Sequence, residues 1–199
     1  MIRLTDVKKS YGENVVLNGL SLQIKEGEKV ALMAPSGVGK TTLFRLIAGL
    51  ERQDGGDVKV SAPLCMLFQE PRLLPQFTLL ENVKAVLSGK NKKEKALAAL
   101  KQVGLEGEEG KYPCEISGGM AQRAVLARAL VTGRKLLLLD EPFKGLDEQA
   151  KKELLAVLQD ALKEKTVLLI THDEGEARTL CTRLLRFDQK MALKDDQSL

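Results

Sequence analysis

The chain alternates between two hydrophobic rhythms. Short apolar segments at Ile2–Val7, Leu20–Ile24 and Lys29–Met33 predict strands, with polar turns at Tyr11–Asn14 and Lys25–Glu28 between them. The glycines in both turns predict hairpins, and so an antiparallel flank on the main sheet. Leu43, Leu46, Ile47 and Leu50 recur close to one helical face, which predicts a helix over Lys40–Leu50. Asp54-Gly-Gly-Asp57 reads as a turn, followed by short strands at Val58–Val60 and Leu64–Phe68. The rhythm then becomes helical over Thr78–Leu87, Lys92–Val103 and Gly119–Val131, and Thr78 with Glu81 forms a capping-box pair. Between the last two helices, Gly104–Gly110 reads as a solvated acidic loop. Lys135–Leu139 and Thr166–Ile170 are uninterrupted apolar runs of the length of buried parallel strands. The amphipathic stretch Glu148–Leu162 joins them into a βαβ unit. A helix at Glu174–Thr182 and a strand at Leu184–Phe187 finish the pattern. The fold class this implies is α/β, with a mainly parallel sheet, an antiparallel N-terminal β-subdomain and an inserted α-helical subdomain. About residues 1–69 and 133–199 make the core and β-subdomain, and about residues 70–132 the helical part.

Composition changes this picture little. At 199 residues the chain is one domain, with 44% apolar and 29% charged residues, as in ordinary soluble proteins. A net charge of +4, aromatics at 4% and no Trp argue against a nucleic-acid partner. Cys65, Cys114 and Cys181 form no C-x-x-C pair, so reduced and mostly buried thiols are expected. The N-terminal residues carry charges where a secretion signal needs an apolar run, and no stretch approaches the about eighteen apolar residues of a membrane span. The expected location is cytoplasmic, with any membrane attachment through partners.

Candidate chemistry begins at Ala34, Pro35, Ser36, Gly37, Val38, Gly39, Lys40, Thr41 and Thr42. This run lies between a strand and a helix and fits the phosphate-binding pattern G-x-x-x-x-G-K-S/T except that Ala34 replaces the first glycine. Gly37 and Gly39 free backbone N–H groups for an anion, Lys40 reaches the β- and γ-phosphates, and Thr41 offers a hydroxyl to Mg²⁺. Alanine at 34 would be strained if that position required positive φ. A second constellation, Asp140-Glu141-Pro142, closes an apolar strand at the sheet edge where α/β proteins bind ligands. Asp140 suits the Mg²⁺ shell, and Glu141 suits orientation and polarisation of an attacking water. In a third, Ser117 caps a helix whose start exposes the N–H groups of Gly118 and Gly119.

Together these motifs resemble the nucleotide-binding subunit of an ATP-binding-cassette (ABC) transporter, a P-loop NTPase fold. Ile116–Arg123 is similar to that family's signature segment, Gln69 falls at its Q-loop, and His172 in Thr171-His-Asp173 matches its switch histidine. Gly145-Leu-Asp147 resembles the D-loop, and Tyr11 matches the aromatic residue that stacks on adenine. The motifs keep family order from Tyr11 to Glu176. The resemblance implies ATP and Mg²⁺ as cofactors and ATP hydrolysis as the activity. Two copies are expected to sandwich ATP head to tail, with Ser117, Gly118 and Gly119 of one copy on the γ-phosphate held by the other. It implies Gln69, beside Thr41 and Asp140, as a sensor of Mg²⁺ and the lytic water. His172 would steady the γ-phosphate, and Asp147 would belong to the nucleotide site. Lys40, Gln69, Glu141 and His172 form the expected catalytic set.

Glu70–Pro75, Thr78–Val83 and Tyr112–Met120, including Met120 itself, are similar to nitrate, sulfonate and taurine importer ATPases. That implies separate transmembrane permease subunits, an extracytoplasmic solute-binding protein, a small anionic or organic solute and a peripheral place on the inner membrane face. Gln76, Ile116 and the Lys144-Gly145 pair depart from the pattern without removing a catalytic group. With the last predicted strand at Leu184–Phe187 near the end of the sequence, no C-terminal regulatory domain is expected. A non-transport cassette of translation or DNA repair is the alternative, although such proteins generally carry two fused cassettes or a long coiled-coil insert. A P-loop phosphotransferase would make Gln69 and the Ser117–Met120 segment coincidences.

Overall fold

The computed structural model describes residues 1–199, and the chain divides into two compact units. The first comprises Met1–Met66, Lys135–Asp140 and Glu164–Leu199. Its strands are β1 (Ile2–Tyr11), β2 (Asn14–Ile24), β3 (Lys29–Met33), β4 (Gly55–Val60), β5 (Leu64–Leu67, its last residue in the second unit), β6 (Leu136–Asp140), β7 (Thr166–Ile170), β8 (Arg183–Phe187) and β9 (Leu193–Ser198). Helices α1 (Lys40–Ile47) and α6 (Glu174–Leu180) belong to the same unit.

These strands make two sheets, ordered β2-β1-β4 and β5-β6-β7-β3-β8-β9. The small sheet is antiparallel, whereas β6, β7, β3 and β8 run parallel. The apolar runs of β6 and β7 are buried at every position, which requires cover on both faces. By contrast, β2 alternates buried and exposed positions and suits a sheet with one wet face. This difference corrects the expected second hairpin. The turn after β2 leads β3 into the other sheet, between β7 and β8, so of the two expected hairpins only the one of β1 and β2 forms. Leu4, Leu22, Val30, Leu32, Phe44, Leu138, Ile170 and Leu185 join one hydrophobic cluster that binds these layers.

Two further expectations change. Asp54–Asp57 is not simply a turn, because β4 already begins at Gly55. A Cβ on Gly56, at φ +76, would stand 2.2 Å from the Asp6 carbonyl oxygen. Glycine is needed there because β4 crosses the irregular register of β1 between Thr5 and Lys8. The sheet also does not end at Phe187. The polar strand β9 pairs antiparallel with β8, and Arg183 donates from Nε and Nη2 to the two Asp196 oxygens, each at 2.7 Å. That fork holds Asp196 below the usual carboxylate range and raises Arg183 further. An edge strand exposed on both faces carries no hydrophobic alternation to reveal it.

The second unit comprises Leu67–Arg134 and Glu141–Lys163. It holds α2 (Leu79–Lys84), α3 (Lys92–Gln102), α4 (Gly118–Leu130) and α5 (Glu148–Ala161), with a 3-10 turn at Pro113–Glu115. The Thr78–Glu81 capping box is formed at the start of α2. Asn82, fully buried on α2, accepts from Leu74 N and donates Nδ2 to the carbonyls of Leu74, Phe77 and Thr78. One amide therefore satisfies several turns of the segment that follows Gln69. The expectation of mostly buried thiols holds for Cys181 alone: Cys65 is half-buried and Cys114 exposed in the 3-10 turn, whose few residues bury nothing. Burial pushes the Cys181 thiol up to about 12. No helix is long and apolar enough to cross a membrane.

Candidate functional site

The loop 34–39 links β3 to α1, and its conformation depends on glycine at two places. Gly37 has φ +78 and Gly39 φ +112, where it caps the N-terminus of α1. A Cβ on Gly39 would stand 2.2 Å from Val16 Cγ1, so β2 and the loop are in close contact there. Ala34 is not among the positive-φ residues, and its side chain is buried in the core. The strain that alanine could have brought does not arise.

Sheet order assembles the rest of this half. The C-terminal ends of β3, β7 and β6 lie side by side, and from them leave the loop, His172 and Asp140. Lys40 Nζ donates to the carbonyls of Ala34 and Pro35, both at 2.8 Å, and lies 3.3 Å from His172 Nε2. An ammonium only donates, so Nε2 is assigned as the acceptor and the proton to Nδ1. Thr41 Oγ1 donates to Asp140 Oδ2 at 3.0 Å, and Asp140 is 2% exposed. A hydroxyl and a carboxylate are hard oxygen donors, too few to cage a cation alone but suited to Mg²⁺ arriving with a nucleotide's phosphates. Tyr11, at the last position of β1, is 45% exposed.

The second unit carries the other motifs. Gln69 Nε2 donates to Glu141 Oε2 at 3.0 Å, and Lys144 Nζ lies 3.9 Å from the same oxygen. Glu141 has φ 47, a left-handed conformation that costs a non-glycine residue about 1 kcal/mol or more. Such strain at a chemical group is typical of functional sites. Ser117 caps α4 by accepting from Met120 N at 3.2 Å, and Ser117 and Gly118 are exposed. A Cβ on Gly119 would come within 3.2 Å of Leu146, so glycine keeps the start of α4 close to the turn before Asp147. Asp147 caps α5 through Ala150 N at 2.8 Å.

The sequence profile of the family described as ABC transporter matches residues 17–144. The chain belongs to the ABC transporter family. It is 45% identical, over 94% of its length and 71% of the relative's, to the aliphatic sulfonates import ATP-binding protein SsuB 3 of Rhodococcus jostii. Identity is 44%, over 94% of this chain and 78% of the relative, to SsuB 1 of Nocardia farcinica. Among solved structures, the ATP-binding cassette MJ0796, a dimer in a post-hydrolysis state with ADP and Pi, superposes with a TM-score of 0.92 at 30% identity. That likeness covers 100% of this chain and 99% of the other.

Three residues of this ABC cassette escape sequence reasoning. Gln122 is 2% exposed and donates to the Pro142 carbonyl at 3.0 Å, tying α4 to the residue after Glu141. Glu176, also buried, accepts from Thr171 Oγ1, which in turn accepts from Asp173 N and so fixes the turn holding His172. Glu51 accepts from the Tyr11 hydroxyl at 2.6 Å. Each looks in the sequence like an ordinary polar residue on or near a helix. Only a buried polar group between apolar neighbours, as at Gln122 among Ala121, Ala124 and Val125, leaves a trace there.

Proposed function

We propose that this ABC cassette is the ATP-binding and ATP-hydrolysing subunit of an importer for a small anionic organic solute of the sulfonate type. The solute class rests on the names of its relatives, which are aliphatic sulfonates import proteins. Two copies work as a dimer with membrane permeases, and an extracytoplasmic binding protein supplies the solute. The cassette sits on the inner membrane face through those permeases. The single nucleotide-binding domain combines the core and β-subdomain with the helical segment.

The observation that carries the reading is the Thr41–Asp140 hydrogen bond, which joins two nucleotide motifs 99 residues apart. Residues 34–42 cradle the phosphates, with backbone N–H groups and the α1 dipole toward the negative charge. Lys40, now on two loop carbonyls, turns its ammonium to the β- and γ-phosphates. Thr41 and Asp140 would hold Mg²⁺, which supplies charge neutralisation on the phosphate oxygens, and the family resemblance adds Gln69 to its ligands. Glu141 accepts a proton from the attacking water, and Gln69 holds its carboxylate for that task. His172 orients the γ-phosphate. Tyr11 stacks on adenine. Ser117, Gly118 and Gly119 of one copy, with Asp147, complete the site on the other, as the exposure of Ser117 and Gly118 allows. ATP hydrolysis by the wild type beside Glu141→Gln tests this. The variant should lose turnover by about 100-fold or more and form an ATP-trapped dimer on size exclusion. A variant that stays monomeric and hydrolyses normally would sink the mechanism.

A further inference from the structure

Tyr11 is a long, half-exposed side chain at the mouth of a hairpin, and such a ring normally samples several orientations. Here two charged groups hold it. Its hydroxyl donates to Glu51 Oε2 at 2.6 Å, a short charge-assisted bond. Lys9 Nζ stands over the ring, 5.3 Å from its centroid.

Both holding groups are themselves anchored. Lys9 is only 15% exposed at its side chain and donates to Asp54 Oδ1 at 3.1 Å. The other Asp54 oxygen accepts from Ser10 N at 2.7 Å, and Asp54 N donates to Lys8 O at 2.8 Å. These bonds hold Asp54 below the usual carboxylate range, the Ser10 backbone most of all. Glu51 lies in the turn after α1, tied back to the helix by its N–H on Arg45 O and with its carboxylate 3.9 Å from Arg45 Nη1. The segment that leaves the helix begun at the phosphate loop therefore carries the residue that grips Tyr11. On the other side, Val16 of the same hairpin touches Gly39 of that loop. The hairpin is thus held to the start of α1 through Val16 and to the turn after α1 through Tyr11. Lys9 takes one face of the ring, and Tyr11 is 45% exposed, so a base would stack on the face that Lys9 leaves.

We infer that Glu51 and Lys9 are positioning residues that lock the Tyr11 ring as a pre-set stacking platform for the purine of ATP. Glu51 then tunes nucleotide affinity without touching the nucleotide, because the cost of ordering the ring is met before binding. The inference rests on the adenine role of Tyr11 given above. It adds the reason why a tyrosine serves there better than a phenylalanine: the hydroxyl is the handle by which the turn after α1 fixes the ring.

Binding of ATP and of inorganic triphosphate, which has no base, is measured by calorimetry on the full chain. Glu51→Ala should weaken ATP about fivefold, the effect of one net hydrogen bond, and leave triphosphate unchanged. Glu51→Gln keeps an acceptor for the hydroxyl and should restore most of the affinity. In a Tyr11→Phe background, Glu51→Ala should have no further effect. Equal losses for ATP and triphosphate, or equal losses with Tyr and Phe at position 11, would overturn the positioning role. A Tyr11→Ala variant that binds ATP like the wild type would instead overturn the adenine reading itself.

Discussion

At Ala34 and Gly39 the same loop gives opposite answers about what a glycine is for. Position 34 lies outside the left-handed region and buries its methyl group, so the departure from the strict pattern brings no backbone strain. Gly39 needs both its φ of +112 and the missing Cβ. Ala34→Gly should cost about 1 kcal/mol, from a lost buried methyl and a freer unfolded chain, with ATP binding kept. Gly39→Ala should cost about 2 kcal/mol or more and abolish ATP binding, because the strain and the Val16 overlap fall on the loop itself. Urea unfolding beside nucleotide binding separates the two cases, and equal effects would refute this account. The motif residues could be proposed from the sequence because phosphate chemistry is local: a glycine turn and a lysine at fixed spacing suffice for the proposal. Glu51 was not, because a glutamate after a helix has the same appearance whether or not a tyrosine hydroxyl reaches it.

Among the elements, the long apolar runs of β6 and β7 and the capped α2 declared themselves through period and burial. The edge strand β9 did not, since Arg183 rather than an apolar face holds it. The segment after Gln69 is another element without a pattern. It is shaped by Asn82, whose amide serves Leu74, Phe77 and Thr78. Asn82→Ala takes the amide partner from Leu74 N and Phe77 O, while Leu74 O and Thr78 O keep backbone donors, and should destabilise by about 3 kcal/mol. ATPase activity should fall more than this loss of stability explains, because the segment begins beside the residue that holds Glu141. Chemical denaturation and turnover at saturating ATP check both, and a variant as stable as the wild type would show that Asn82 is dispensable.

For the whole molecule the proposed reading requires that no single chain contain a complete site. Lys40→Ala removes the phosphate ligand from one half, and Ser117→Arg blocks the signature half. Either variant alone should be inactive. Mixed in equal amounts and allowed to exchange, they should recover about a quarter of wild-type ATPase, since half the dimers are mixed and each holds one intact site. A mixture as inactive as its parts would count against head-to-tail sharing. The sequence by itself determined the class of chemistry, the α/β character and the order of the motifs, because strand burial, helix capping and phosphate cradling are each written within a few consecutive residues. Tertiary structure alone decided which distant groups meet: Thr41 with Asp140 across 99 positions, Lys40 with His172 across 132, and Tyr11 with Glu51 across 40. Those meetings follow from the strand order β6-β7-β3 and from the way α1 returns to the hairpin. Strand order leaves no periodic mark on the chain, because any of several orders buries the same apolar faces.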